Sequence, residues 1–328
     1  MVNSFIERLM SYNYPALIVL ISSLAIVFVV SKFVKSLPKR VTIYLLLIFF
    51  VYCFKASQLI ISPPRFRSPY SPEDFGMEYR DINFLTEDGI DIRGWYIKGT
   101  EKRTIILCHP YGMDKGDCLP QARFLNRAGY NILLFDFRGH GNSEGKYSSL
   151  GYYEIKDLLA GVSFLKEKGE NRIGAMGFSM GGTVALLGAS LTPDINAVVS
   201  EGAYLSFHSA VYSFAKCYYH APKYPFLPPA IWTAGIRLRF KPKELNLKHH
   251  LHKISPRPIL IIHSREDREM PVSEGMEIFN TAGEPKYLWI VSDAEHLECY
   301  LKEGKRYKEK VLDFFATSLR TISSSTIP

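Results

Sequence analysis

Ser179 lies in Gly177-Phe178-Ser179-Met180-Gly181, a G-x-S-x-G pattern. A short apolar run, 173–176, precedes it and a helix-forming run, 184–189, follows it. A serine hydroxyl is a weak nucleophile until a neighbouring base takes its proton. A sharp turn between strand and helix lifts such a hydroxyl clear of the sheet. Gly177 and Gly181 suit that turn, because side chains there would meet the adjoining strand and helix. The expected base is His296, in Asp293-Ala294-Glu295-His296, which follows the last apolar strand run and completes the chain order Ser, Asp, His. The expected orienting acid is Asp267, in His263-Ser264-Arg265-Glu266-Asp267. A carboxylate a few residues past a strand end can turn back over the sheet and fix the imidazole tautomer. Glu201, at the end of another strand run, is the reserve candidate. An oxyanion hole is expected from the backbone N–H groups of Met180 and of Tyr111, in His109-Pro110-Tyr111-Gly112, since Pro110 has no N–H to give. These residues fit covalent acyl transfer, with Ser179 attacking, His296 taking and returning the proton, and Asp267 orienting His296.

Such groups need elements to hold them. Runs at 79–86 and 90–97 flank Glu87-Asp88-Gly89, a hairpin signal. Strands are predicted at 104–109, 131–136, 172–176, 196–200, 258–263 and 286–291. Helical spacing covers 119–128, 152–168, 180–190, 272–281 and 304–320. A hairpin followed by alternating strands and helices predicts an α/β protein with a mostly parallel, eight-stranded sheet and helices on both faces. The three reactive residues all fall just past strand ends, where open α/β sheets carry their sites.

The net charge of +8 belongs to particular segments. Residues 1–67 hold eight Lys/Arg against Glu7, leaving +1 for residues 68–328. No nucleic-acid-binding motif accompanies the charge, which sets that partner class aside. Five cysteines, Cys53, Cys108, Cys118, Cys217 and Cys299, have neither a metal spacing nor a disulfide framework. Residues 15–34 are apolar and long enough to span a bilayer. Their flank lacks the basic excess and cleavage site of a signal peptide, which favours an uncleaved helix. A second apolar run, 41–61, is read as a second span, the alternative being a helix lying against the globular domain. The basic loop between the runs (Lys32, Lys35, Lys39 and Arg40) is expected on the cytoplasmic side. Two spans then place the catalytic domain outside and one span leaves it inside, and the reading leans to two. Residues 1–67 are thus expected to be a membrane anchor and 68–328 the catalytic domain.

At these residues the sequence resembles the α/β-hydrolase family, over about residues 78–320. Gly177-Phe178-Ser179-Met180-Gly181 matches the family's elbow, and Asp136-Phe137-Arg138-Gly139-His140-Gly141-Asn142-Ser143 resembles its loop after the fourth strand. His263, Asp267 and Pro271 resemble its acid loop and His296 its base. The N-terminal segment, with Thr86-Glu87-Asp88-Gly89 and Gly94-Trp95-Tyr96, is similar to membrane-anchored members related to serine aminopeptidase-like esterases. The family's commoner oxyanion loop has His-Gly where this chain has His109-Pro110. The resemblance implies structural roles for Asp136 and Arg138, and a cap at 204–257. That insert holds ten aromatics and nine Lys/Arg against Glu244 alone, which suits a membrane surface or acyl-bearing substrates. Lys248-His249-His250-Leu251-His252 has no Cys or carboxylate partner nearby, so no metal is expected. The reading is a membrane-anchored serine hydrolase of carboxylic esters or thioesters that needs no cofactor. Its substrate is expected to be an acyl ester or lipid-like small molecule, its other partner the membrane, with no nucleic acid. Peptide hydrolysis and a catalytically silent interaction protein are the alternatives.

Overall fold

The alternating apolar runs form one eight-stranded sheet in the computed structural model, which describes residues 39–320. The strands are β1 (Arg80–Leu85), β2 (Asp91–Ile97), β3 (Thr104–Cys108), β4 (Asn131–Phe135), β5 (Ile173–Phe178), β6 (Ile195–Glu201), β7 (Ile259–Ser264) and β8 (Lys286–Val291). Their spatial order is β1-β2-β4-β3-β5-β6-β7-β8. The β1–β2 hairpin and the β2–β4 pair are antiparallel, and every pair from β4 to β8 is parallel. The order reverses between β3 and β5, and a crevice opens above the strand ends at such a point. The register aligns those ends: Cys108 pairs with Gly177, Phe178 with Glu201, and Glu201 with Ile262.

The helices are α1 (Lys39–Ile61), α2 (Leu119–Arg127), α3 (Glu154–Glu167), α4 (Met180–Leu191), α5 (Phe207–Tyr219), α6 (Leu227–Leu238), α7 (Val272–Thr281), α8 (Cys299–Glu303) and α9 (Lys305–Ser318). Side chains alternate across the strands, so the two faces carry separate cores. Ile106, Leu133 and Ala175 share one with Leu158, Val162 and Val184 of α3 and α4. Ile105, Leu107 and Leu134 share the other with Leu125 of α2 and Phe315 of α9. Residues 204–257 leave the sheet after β6 and return at β7, carrying α5, α6 and three short 3-10 turns. The 3-10 turn Leu251–Ile254 and residues Phe207 and Leu247 bind this insert to the first core.

The second apolar run departs from expectation. It forms α1, and no helix among the described residues is long and apolar enough to cross a membrane. Tyr52, Cys53, Ser57 and Ile61 fall on one helical face and are buried. That face packs on α6, and the two carbonyls at its C-terminal end accept from the domain, Ile61 from the Ser148 N–H at 2.7 Å and Ile60 from the Tyr111 hydroxyl at 3.2 Å. Arg237 of α6 donates to the Phe54 carbonyl, Ser57 Oγ and Gln58, and its guanidinium covers the Phe54 ring at 4.2 Å. Ser57 and Gln58, in one turn of the inner side, thus give α1 a polar partner in protein. The first run, 15–34, lies outside the described residues.

Candidate active site

Ser179 closes β5 and opens α4. Its φ of 50° and ψ of −114° lie in a region that L-residues seldom adopt. The turn is held on both sides: the Ser179 N–H donates to the Glu201 carbonyl at 2.8 Å, and the Ser179 carbonyl accepts from the Thr183 N–H at 3.0 Å. Gly177 and Gly181 are dictated by contact. A Cβ on Gly177 would come within 2.1 Å of the Gly181 carbonyl oxygen, and one on Gly181 within 2.1 Å of the Cys108 carbonyl oxygen. The elbow therefore presses strand and helix backbones together, with room for hydrogen alone.

His296 and Asp267 meet above the ends of β7 and β8. His296 Nδ1 lies 2.6 Å from Asp267 Oδ2. A carboxylate can only accept, so Nδ1 carries the proton and Nε2 is left with its lone pair. The other carboxylate oxygen accepts from the Met270 N–H at 2.7 Å. His263, fully buried, holds the same loop by donating from Nε2 to the Met270 carbonyl at 2.8 Å. Burial lowers its pKa, so it stays neutral in that role. Gly202, at φ 62°, lets β6 pass against the His296 ring, since a Cβ there would lie 3.0 Å from Cε1. Ser179 and His296 line one cavity of about 210 Å³ together with Tyr111.

Burial opposes a charge on His296, but the hydrogen bond and charge of Asp267, with Glu269 and Glu201 adding, outweigh it and raise the pKa. A general base works only when neutral, so activity falls as pH drops through that pKa. The acid limb of the kcat/KM profile is therefore expected above the ordinary imidazole value of about 6.5. A pH profile with a saturable ester checks this, and a midpoint well below 6.5 would contradict it.

The loop after β3 brings Tyr111 to the cavity. His109 is fully buried and braces this loop, with Nδ1 donating to the Pro110 carbonyl at 2.7 Å and Nε2 accepting from the Phe137 N–H at 2.9 Å. Both roles need the neutral ring, and burial, aided by His140, pushes its pKa down to about 3. Gly112 follows at φ 75°, which turns the chain away. Met180, at the first position of α4, has an N–H with no acceptor inside the helix. Asp136 and Arg138 are tied into structure. Asp136 accepts from the Lys115 backbone N–H, Lys115 Nζ and the Asn142 N–H. Arg138 bridges Asp157 and Asp88.

Glu201 does not reach His296 Nδ1, which Asp267 occupies. It accepts from the Tyr307 hydroxyl at 2.5 Å with Cys299 alongside, and burial raises its pKa. A glutamine oxygen at the same place can still accept from the Tyr307 hydroxyl. Glu201→Gln is expected to keep kcat/KM within about tenfold of the parent, measured at pH 8. A loss matching that of Asp267→Asn would make Glu201 the acid. This Tyr307–Glu201 pair was not legible in the sequence, because the partners lie 106 residues apart. Nor was the part of α1 in the cavity wall, since an apolar run does not say whether lipid or protein covers it.

A strained serine elbow, an aspartate–histidine pair and this strand order define an α/β-hydrolase. The chain belongs to that family, in the branch related to serine aminopeptidases: the family model described as serine aminopeptidase, S33, matches residues 99–242. The uncharacterized protein YqkD of Bacillus subtilis is 32% identical over 231 residues, covering 69% of this chain and 75% of its own. The esterase Pf2001 of Pyrococcus furiosus is 30% identical with a TM-score of 0.69, covering 79% of this chain and 98% of that one. GrgF of Penicillium, named a polyketide transferase, is 20% identical with a TM-score of 0.62, covering 74% of this chain and 99% of that one, and shares the fold. The chain is a hydrolase by family.

Proposed function

We propose that the chain is a serine hydrolase that cleaves carboxylic ester or thioester bonds through an acyl-enzyme. The observation that carries this reading is the 2.6 Å His296–Asp267 pair sharing a cavity with Ser179 on its strained elbow. Ser179 Oγ attacks the acyl carbon while His296 Nε2 takes its proton. The N–H groups of Tyr111 and Met180 bind the oxygen as it becomes negative, helped by the positive end of α4. His296 then protonates the leaving alcohol or thiol, and water, activated by the same nitrogen, frees the acid. The chemistry needs no cofactor. A fluorophosphonate probe is expected to label Ser179, and an ester panel to be turned over; a parent protein that does neither would end the proposal.

Peptide hydrolysis at a free amino terminus is the second reading, favoured by the family's description. It asks for a carboxylate to receive the substrate ammonium. Glu269 is the single acidic residue on the cavity wall among the described residues, and the Tyr218 hydroxyl already donates to it. The remaining wall is largely apolar, which suits an acyl chain better.

The proposed place of work is a membrane. Supporting it are the apolar run at 15–34, the charge of residues 1–67, and the exposed Phe49 and Phe50 of α1 and Trp232 and Ile236 of α6. Arg239, Lys241 and Lys243 are exposed, whereas Arg237 is engaged by α1. Each exposed cation near an anionic surface is worth about 1 kcal/mol. Replacing those three by Gln in the full chain is expected to weaken binding to phosphatidylserine vesicles at low salt at least about tenfold. Equal binding of both proteins would make the basic face merely solvated.

A further inference from the structure

Three helices bring alanines to the cavity wall among larger residues such as Tyr52, Phe214 and Leu227. Ala56 comes from α1, Ala210 and Ala215 from α5, and Ala230 from α6. Packed helices normally fill such contacts to near-crystalline density. Alanines at these four helical positions instead leave a bore beside the reactive groups. At about 210 Å³ it exceeds the roughly 150 Å³ apolar cavity known to admit benzene.

The position of α1 gives the bore a length. Tyr52, Ala56 and Ile60 all line it, at a spacing of four residues, which keeps them on one helical stripe. The Ile60 end is fixed at the catalytic side, because its carbonyl accepts from the hydroxyl of Tyr111. Tyr52 lies two turns further up, about 12 Å along the axis, and packs edge-on against Phe226 of the insert at 5.7 Å. A zig-zag chain advances about 1.25 Å per carbon–carbon bond, so about ten bonds are needed to cover that path. Lys55 and Leu59 border the same stripe and are exposed, so the outer side of the bore opens beside α1.

We propose that α1 is one wall of a subsite for an unbranched acyl chain of medium length or longer, and that Ala56 sets how far the chain can run. The inference rests on the acyl-hydrolase reading for what the bore holds. It goes beyond that reading by making residues outside the sheet and its insert determine specificity.

The test uses the full chain with Ala56→Trp, and Val51→Trp as a control on the exposed side of the same helix. With p-nitrophenyl esters, Ala56→Trp is expected to lower kcat/KM for decanoate at least about tenfold, while butyrate stays within about twofold. Val51→Trp should resemble the parent on both. A parallel loss on both esters, or no loss on decanoate, overturns the inference. A second measurement does not depend on turnover. Dansyl-undecanoic acid should bind the Ser179→Ala protein, and adding Ala56→Trp should weaken that binding at least about tenfold. Absence of binding in the Ser179→Ala protein, or equal binding after Ala56→Trp, also overturns it. Binding that responds to Ala56→Trp in a chain that neither labels nor cleaves esters would remove the hydrolase reading and leave the subsite standing.

Discussion

The Ser179→Ala protein will fold, bind a medium-chain ester and fail to cleave it. The expected loss in kcat is about a millionfold, the scale seen when the nucleophile of a serine triad is removed. Folding should survive because the elbow is held by backbone groups. The Ser179 N–H bonds Glu201 and its carbonyl bonds Thr183, and alanine supplies both. The cost is confined to placing a side chain at φ 50°, which the serine already bears. Covalent labelling by a fluorophosphonate should vanish with turnover. Intact-mass measurement checks the first and circular dichroism the fold. Full labelling of the alanine protein would remove Ser179 as nucleophile.

Asp267→Asn will lose about 10⁴-fold in kcat while keeping its loop. The reason lies in which way the amide must face. The Met270 N–H points at one oxygen of Asp267 from 2.7 Å and demands an acceptor there. The asparagine NH₂ is thereby turned toward His296 Nδ1. A donor at that position forces the imidazole proton onto Nε2, the atom that must be bare to take the proton of Ser179. The pH profile should move as well. Without the carboxylate, burial is the dominant influence on His296 and lowers its pKa, so the residual activity should persist to lower pH than in the parent. Activity within tenfold of the parent would mean another group orients His296.

Much of this site was legible because strand ends punctuate the sequence. Ser179, Asp267 and His296 each follow an apolar run, and the parallel register brings those ends to one edge. The sheet and its flanking helices were readable as well, since β3, β4, β5 and β7 are buried throughout and stand out as apolar runs, while a period of 3.6 survives in α3. Composition misled at 41–61. A run of Leu, Ile and Phe looks the same whether its neighbours are lipid or protein, and only the contacts of Ser57, Gln58 and Arg237 reveal the second case. The basic insert misled in part for a related reason. Arg237 serves α1, Lys248 pairs with Glu277 at 2.7 Å, and Arg257 donates to the carbonyls of Thr192 and Ile195. Charge counted along a chain does not say which cations the fold spends on itself.

The docking of α1 also determines what the N-terminal segment does mechanically. A proline-rich connection starting at Pro63 and Pro64 invites the picture of a domain on a leash. The pinned carbonyls of Ile60 and Ile61 and the grip of Arg237 replace that leash with a strut, 23 residues and about 35 Å long. Whatever residues 1–38 attach to, the catalytic mouth keeps a fixed tilt and stand-off from the near end of that strut. Shortening the chain to residues 68–328 would therefore do more than free the domain. It would take away the support under the Tyr111 hydroxyl and leave the apolar face of α6 to water.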